Sequence, residues 1–401
     1  MLRATIVIAA AVPAFAAVVV STGAAVSNVP RPPFSPRTVA VPAAQVVAGS
    51  HPTRGRYEYV LLDGEIDVYR EGSTARVERI LLPATKAGIR GVAVDPRRHA
   101  MYISYGGDGG DHGTGSLLKY DLVAERIVWA KDYPVGIDSF ALTPDGRRIY
   151  MPLGEAEAAP YWNVIATATG RVEAWVAGGA YSHNTIVSLD GRRAYLAPRG
   201  DKWLTVVDTR TNRVIRRLGP LEDSVRPFTI NGRQTLAFTT HTAHRGFQIE
   251  SIATGKVLAT ITFGSVPNGY PLSAPSHGIS LSPNEKQLWV LDAPASVVRV
   301  FDVSKLPRVR PRQIAALAIN ALGELEAPCA YDCHRSGWLQ HTLDGKYVYV
   351  GDTGQFFATN PSRLAGSLPP LRNTRKYIEV DWRNGIPIAT STRAGLGRVT
   401  R

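Results

Sequence analysis

Cysteine is scarce in this chain: of its 401 residues two are cysteine, Cys329 and Cys333, in the segment APCAYDCHRSGW. None lies near the amino terminus, which excludes a bacterial lipoprotein anchor. In an exported chain the pair would form one local disulfide, Cys329–Cys333, stapling a long loop. The segment reads Cys-x3-Cys-His, one residue longer than the usual haem-attachment spacing, and no second axial ligand announces itself. Covalent haem is therefore disfavoured, and a redox role resting on Cys329, Cys333 and His334 is the weakest reading. Runs with a 3.6-residue apolar period are missing at any useful length, which argues against a helical solenoid. Also missing are a Gly-x-Ser-x-Gly nucleophile elbow, a His-Glu-x-x-His motif and calcium-loop spacing.

What is present begins with an apolar run. In MLRATIVIAAAVPAFAAVVVSTGAAVS, Arg3 precedes apolar residues from Ala4 to Val20, and small residues follow at 21–25. That is the layout of a secretory signal cleaved near residues 24–27, and it predicts export to the periplasm or the medium. At about seventeen residues, broken by Pro13, the run falls at the lower edge of what spans a bilayer, so a retained anchor is the rival reading. No transmembrane span is expected after cleavage of residues 1–27. Residues 28–56, rich in proline and without period, read as an exposed linker.

The formal net charge of +13 favours polyanions. For an exported protein these are cell-envelope polymers, anionic head groups or acidic polysaccharide, with no nucleic acid among them. The basic residues are scattered through turns (Arg97-Arg98, Arg147-Arg148, Arg192-Arg193, Arg216-Arg217), and a solvated surface accounts for most of them.

Thirty-seven glycines and twenty-eight prolines suit a fold with many tight turns. One stretch, GAYSHNTIVSLDGRRAYLAPRGDKWLTVVDTRT (179–211), reads as a full repeat unit: strand, Asp190-Gly191 turn, strand, polar loop, strand. Its turn recurs at Asp145-Gly146, Asn231-Gly232, Asn284, Asp344-Gly345 and Asn384-Gly385, with Pro96-Arg97 in the same place without glycine. Each joins two short β-rich runs, as Asp-Gly and Asn-Gly hairpin chemistry demands. Third and fourth strands recur in KYDLVAERIVWA, VIATATGRVEAWV, VVDTRTNRVIRRL and SIATGKVLATI. Four strands per unit over seven turns predict an all-β chain, a seven-bladed β-propeller in one domain over 57–401, expected to be a monomer. The ring would close by sharing a blade between the ends. The hairpin of 377–381 and 386–390 would supply the inner pair, and 57–83 the outer strands.

VVDTRTNRVI, ALTPDGRRIYMP and SLSPNEKQLWVL together resemble the YVTN-type repeat propellers, which are seven-bladed and usually exported by bacteria. The resemblance covers about residues 57–392 and implies a fold rather than an activity. More distantly similar propellers include lactonases, an antibiotic-opening lyase and quinoprotein subunits. The chain departs from the repeat at 318–337 and after Gln355.

In a propeller the residue just before each inner strand lies at one channel mouth, where loops carry function on a rigid scaffold. Counting seven back from each turn residue gives Asp138, His183 and His277, and Arg90 when Arg97 is taken as equivalent. Blade four is two residues shorter and offers Arg226; the remaining blades offer Gly337 beside Trp338, and Tyr377. Loops on the same face add Asp108, Asp111, His112, His241, His244, Asp292 and Asp352. Arg90, Asp138, His183, Arg226 and His277 are the candidate ligand-binding residues, the arginines suiting a carboxylate or phosphate through bidentate hydrogen bonds. His183, His241 and His277 are candidate ligands for a divalent metal ion. The glycine-rich loop 106–115 lacks the following helix of a phosphate motif. His341, inside a strand, is expected between blades.

Two functions compete on these residues. One is an exported propeller that binds a small or polymeric anionic ligand at the channel mouth without chemistry. The other is a metal-assisted lactonase or lyase with His183 and His277 as catalytic residues, His277 the base or metal ligand and Asp138 its partner.

Overall fold

The computed structural model describes residues 36–82, 88–106, 115–134, 137–154, 158–324, 334–369, 376–392 and 394–400. The expected signal peptide, the loop 107–114 with Asp108, Asp111 and His112, and the Cys329–Cys333 pair lie outside the described residues. From Phe34 onward the chain is one unit.

The unit is all-β. Seven antiparallel sheets follow one another as meanders, forming a seven-bladed β-propeller with 3₁₀ turns at Pro96–Arg98 and Ala293–Ala295. Blade 3 shows the pattern: Ser182–Val187 innermost, then Arg193–Pro198, Leu204–Asp208 and Arg213–Leu218 at the rim.

The repeated turns form for one local reason. In blade 2, Asp145 Oδ1 accepts from Thr143 Oγ1 (2.6 Å) and Arg147 N (3.0 Å), and Gly146 at φ +67° donates to Thr143 O (2.7 Å). Ser188, Asp190 and Arg192 repeat the bonds to the carboxylate, as do Thr342, Asp344 and Lys346. The short acid folds back on its own backbone, and glycine takes the left-handed position a side chain would strain.

Alternating residues of the inner and middle strands face neighbouring blades, and the core consists of those faces. Trp289 is fully buried between blades 5 and 6 with Val300, Leu339 and Phe357. Another buried tryptophan, Trp382, belongs to the cluster that joins blade 7 to blade 1. Burial of each such side chain contributes about 3 kcal/mol.

Closure differs from the expected arrangement. Blade 7 takes one strand from the carboxyl-terminal part, Lys376–Arg383, paired with Gly55–Leu62; Glu65–Arg70 and Arg76–Leu81 complete it. The strand after the Asn384 turn, Ile386–Thr390, pairs on the opposite edge of Lys376–Arg383, facing the channel, and is not the second strand of the blade. Gly55–Leu62 forms seven matched positions on one edge of Lys376–Arg383, and Ile386–Thr390 four on the other.

Part of the segment 28–56, expected as a linker, is strand. Arg37–Thr38 adds to the rim of blade 1 and Gln45–Gly49 to the rim of blade 7. The added strands are exposed, and they cover sheet edges that would otherwise present unpaired backbone.

Beyond the last strand, residues 394–400 cross the floor of the ring. Gly395 O accepts from Leu281 N (3.0 Å) and Thr229 Oγ1 (2.8 Å), and Gly397 N donates to Ile230 O (3.1 Å). A Cβ on Gly395 would stand 1.8 Å from Ser280 Oγ, so this crossing requires glycine.

Candidate functional site

At the end of the channel where the inner strands begin, a polar cavity of about 240 Å³ opens among Arg90, Asp138, His183, Arg226 and His277. All five candidate ligand-binding residues therefore meet. Arg199, Ser273, His334, Trp338 and Lys376 join them. Asp138 is the one carboxylate among the described lining residues, against three arginines and a lysine. Each of these cations except Arg199 is under a tenth exposed, so the basin concentrates positive charge where water screens it poorly.

Local backbone irregularity aims several of these side chains. The ladder of blade 1 pairs Ile89 with Tyr105 and then Gly91 with Ser104, leaving Arg90 as the extra residue of a bulge. His183 is skipped likewise between Ser182 and Asn184, and the register jumps across Arg226-Pro227 between Val225 and Phe228. A bulged residue leaves the strict inward–outward alternation, and here it turns to the mouth. Gly91 permits this in blade 1: a Cβ there would stand 2.7 Å from Phe140 Cδ1.

His183 Nδ1 lies 2.6 Å from Asp138 Oδ2. The other carboxylate oxygen accepts from Ser139 N (2.8 Å), and Ser139 Oγ lies 3.2 Å from it. A carboxylate accepts, so Nδ1 carries a proton, and in the neutral tautomer Nε2 is the acceptor nitrogen. His277 Nδ1 donates to Gly337 O at 3.0 Å, which fixes the same tautomer. The ring of His277 stands edge-on to Trp338, 5.8 Å between centroids, and Lys376 Nζ lies 5.3 Å over the Trp338 ring. Arg226 is held by Ser273, whose Oγ accepts from its guanidinium at 2.7 Å.

Asp138 meets His183, a contact that the spacing did not foretell. The geometry corrects one expectation. His241 does not line the cavity. It lies in Leu236–His241 opposite His244, and its Nε2 is 2.9 Å from Thr239 Oγ1, which donates to Glu250 Oε1 (2.7 Å). Burial first, then the neighbouring His244 and Lys202, lower its pKa to about 3, so the ring is neutral and held between strands. The proposed metal set of His183, His241 and His277 is thus not assembled, and no group of three metal-type ligands occurs at this mouth among the described residues.

Other loop candidates have structural work. Asp292 accepts from Arg245 (2.6 Å) and Arg299 (2.8 Å). Asp352 Oδ2 accepts from the backbone of Ser336 and Gly337, 3.0 Å each, which sets the carbonyl that His277 meets. His244 is buried near Ile261 O at 3.4 Å. Tyr377 packs in the core against Tyr349, and the preceding Lys376 takes the mouth position instead. His341 lies between blades as expected, 2.6 Å from Ser280 Oγ, its pKa lowered by burial to about 3.

Arg199, Ser273, Lys376 and the placement of His334 escaped the repeat count. Arg199 had a signal, since it directly follows the second strand of blade 3, where the loop emerges on this face.

The opposite end of the channel is different. A cavity of about 390 Å³ there is lined largely by apolar side chains, among them Val92, Phe140, Ile186, Ile378 and Leu396, with Arg398 beside them.

No protein-family model matches the chain. No curated protein sequence matches it. Among solved structures it is similar to hydrazine synthase of Kuenenia stuttgartiensis, with 15% identity, a TM-score of 0.52, and coverage of 81% of this chain and 90% of that one. At that identity the likeness speaks for architecture alone: the chain shares a β-propeller frame, and its site must be argued from its own residues.

Proposed function

We propose that this protein is an exported β-propeller that binds a small organic anion, or the anionic end of a polymer, at the polar mouth of its channel. One observation carries this reading: Arg90, Arg226 and Lys376, all nearly buried, converge on one cavity with a single carboxylate among its described lining residues. Carboxylate and phosphate oxygens supply the acceptors that guanidinium forks need. At about 240 Å³ the cavity is smaller than the roughly 300 Å³ at which drug-sized sites begin, which favours one sugar acid or a small polycarboxylate. Trp338 offers an apolar face beside the charged groups. Export is supported by the apolar run with Arg3 ahead of it, and membership of the YVTN-type group by the repeat segments quoted above.

The test is calorimetry with galacturonate, citrate and inorganic phosphate beside galactose. Binding of at least one anion without binding of galactose is expected. Equal binding of galactose, or no binding by any of the three anions, contradicts the proposal.

A second reading is favoured by the Asp138–His183 contact. A carboxylate on Nδ1 leaves Nε2 as the base, the arrangement a lactone-opening or lyase step uses to take a proton. The arginines would then hold a substrate carboxylate. Turnover of a lactone panel that His183→Ala abolishes would establish it; no turnover leaves the binding reading alone.

A further inference from the structure

A different set of side chains meets where the ring closes. His51 follows the added strand Gln45–Gly49, Glu78 lies in Arg76–Leu81 of blade 7, and Glu125 sits in the turn before Arg126–Tyr133 of blade 1. One ligand-type atom of each lies within 4.8 Å of the other two, the only such trio among the described residues. It shares no residue with the channel mouth.

The surroundings separate this trio from an ordinary solvated acid pair. Glu78 is 2% exposed, and its Oε1 has no hydrogen-bond partner among the described residues. The same holds for the buried Nε2 of His51 and for the hydroxyl of Tyr120, itself fully buried. His51 is also held in place: its ring stands edge-on to Trp382 at 4.6 Å, and Nδ1 lies 3.1 Å from Glu125 Oε1. Two carboxylates beside each other in such a setting cannot both ionise without a counter-charge.

We infer that His51, Glu78 and Glu125 bind a divalent transition-metal ion, Zn²⁺ or Mn²⁺, that clamps the amino-terminal segment onto the seam between blades 7 and 1. One imidazole nitrogen with two carboxylate oxygens is a donor set these ions accept, whereas Ca²⁺ and Mg²⁺ favour oxygen alone. Bond lengths of about 2.0–2.2 Å call for the donors to draw in by roughly 1 Å. Glu125, the more exposed of the two acids, has room to move. The ion would supply the missing partner of Glu78 Oε1 and join three elements far apart in sequence.

The experiment uses the untagged, chelator-stripped protein, melted with and without Zn²⁺ or Mn²⁺. It is repeated on Glu78→Gln, His51→Ala and the double variant His183→Ala/His277→Ala. At a hundredfold excess over Kd, one of the ions should raise the native Tm by about 3–6 °C. Glu78→Gln and His51→Ala should lose that rise while keeping the metal-free Tm near native, and the double mouth variant should retain it. No rise in the native protein overturns the proposal and leaves a proton between the two acids as the counter-charge. A rise that survives both seam variants, or one that the mouth variant abolishes, overturns it as well. If Glu78→Gln does not fold, His51→Ala decides, since that half-buried side chain is replaced without leaving a charge.

Discussion

The two ends of the central channel are made by the same inner strands, yet they are chemical opposites. Where the strands begin, bulges at Arg90, His183 and Arg226 turn charged side chains into a cavity of about 240 Å³. Where they end, regular alternation puts Val92, Val94, Ile186 and Ile378 inward, and residues 394–400 lay Ala394 and Leu396 across the floor. One end spends its backbone irregularity on presenting polar groups, and the other keeps regular strands and buries apolar area. The contrast teaches where to separate stability from recognition in a ring whose blades are otherwise alike.

The largest expected effect breaks the apolar side. Phe140, 3% exposed, packs against Gly91 and lines the apolar cavity. Phe140→Ala should cost about 3–5 kcal/mol of unfolding free energy in urea titrations. Anion affinity should change little in the fraction that stays folded; an affinity loss as large as the stability loss would mean that the two ends are coupled.

Asp138→Asn sharpens the polar side. If the mouth only binds, removing the one carboxylate among its described lining residues lowers repulsion, and anion affinity should rise by about threefold to tenfold. If His183 is a base, the same substitution should lower turnover by about 10²–10⁴-fold, because Nδ1 loses the acceptor that sets its tautomer. The two readings thus move opposite quantities.

A smaller effect concerns Glu250, buried beside Thr239 and His241. Burial raises its carboxyl to about 8, partly offset by the Thr239 hydroxyl bond. The folded state therefore holds a proton that the unfolded chain releases near its ordinary carboxylate pKa. Stability from this group is present below about pH 4.5 and is lost as pH rises toward 8. Tm should fall across that window by a few degrees more in the native protein than in Glu250→Gln; equal slopes would show that Glu250 is ionised in the folded state. His241 and His341 act in the reverse sense, since their lowered values make stability fall as pH drops below about 6.5.

How much of this was legible in the sequence follows the same division. The blade turns were, because Asp145, Asp190 and Asp344 each close a local hydrogen-bond ring that needs no distant partner. Asp138, His183, His277 and Arg90 were too, because a spacing of seven from those turns returns to one height in their blades, and Arg226 was once the two-residue gap of its blade was allowed for. Lys376 was hidden because the Asn384 turn does not join the first two strands of its blade. The strand that pairs with Lys376–Arg383 comes from the other end of the chain, which no local pattern announces. His241 was misjudged through alternation: at the end of a strand one position decides between mouth and interior, and the bulge opposite Arg226-Pro227 sets its register. The floor segment 394–400 carries no strand period, and the close approach at Gly395 becomes visible only beside Ser280.

The most direct test of the account is the Kd of citrate for the native protein and for Arg90→Gln/Arg226→Gln, measured by calorimetry at low and at moderate salt. Loss of two charge-assisted contacts predicts an affinity lower by about 10–100-fold in the folded protein, with a weaker dependence on salt. Citrate bound by the double variant as tightly as by the native protein, with the same salt dependence, would contradict an anion site at this mouth.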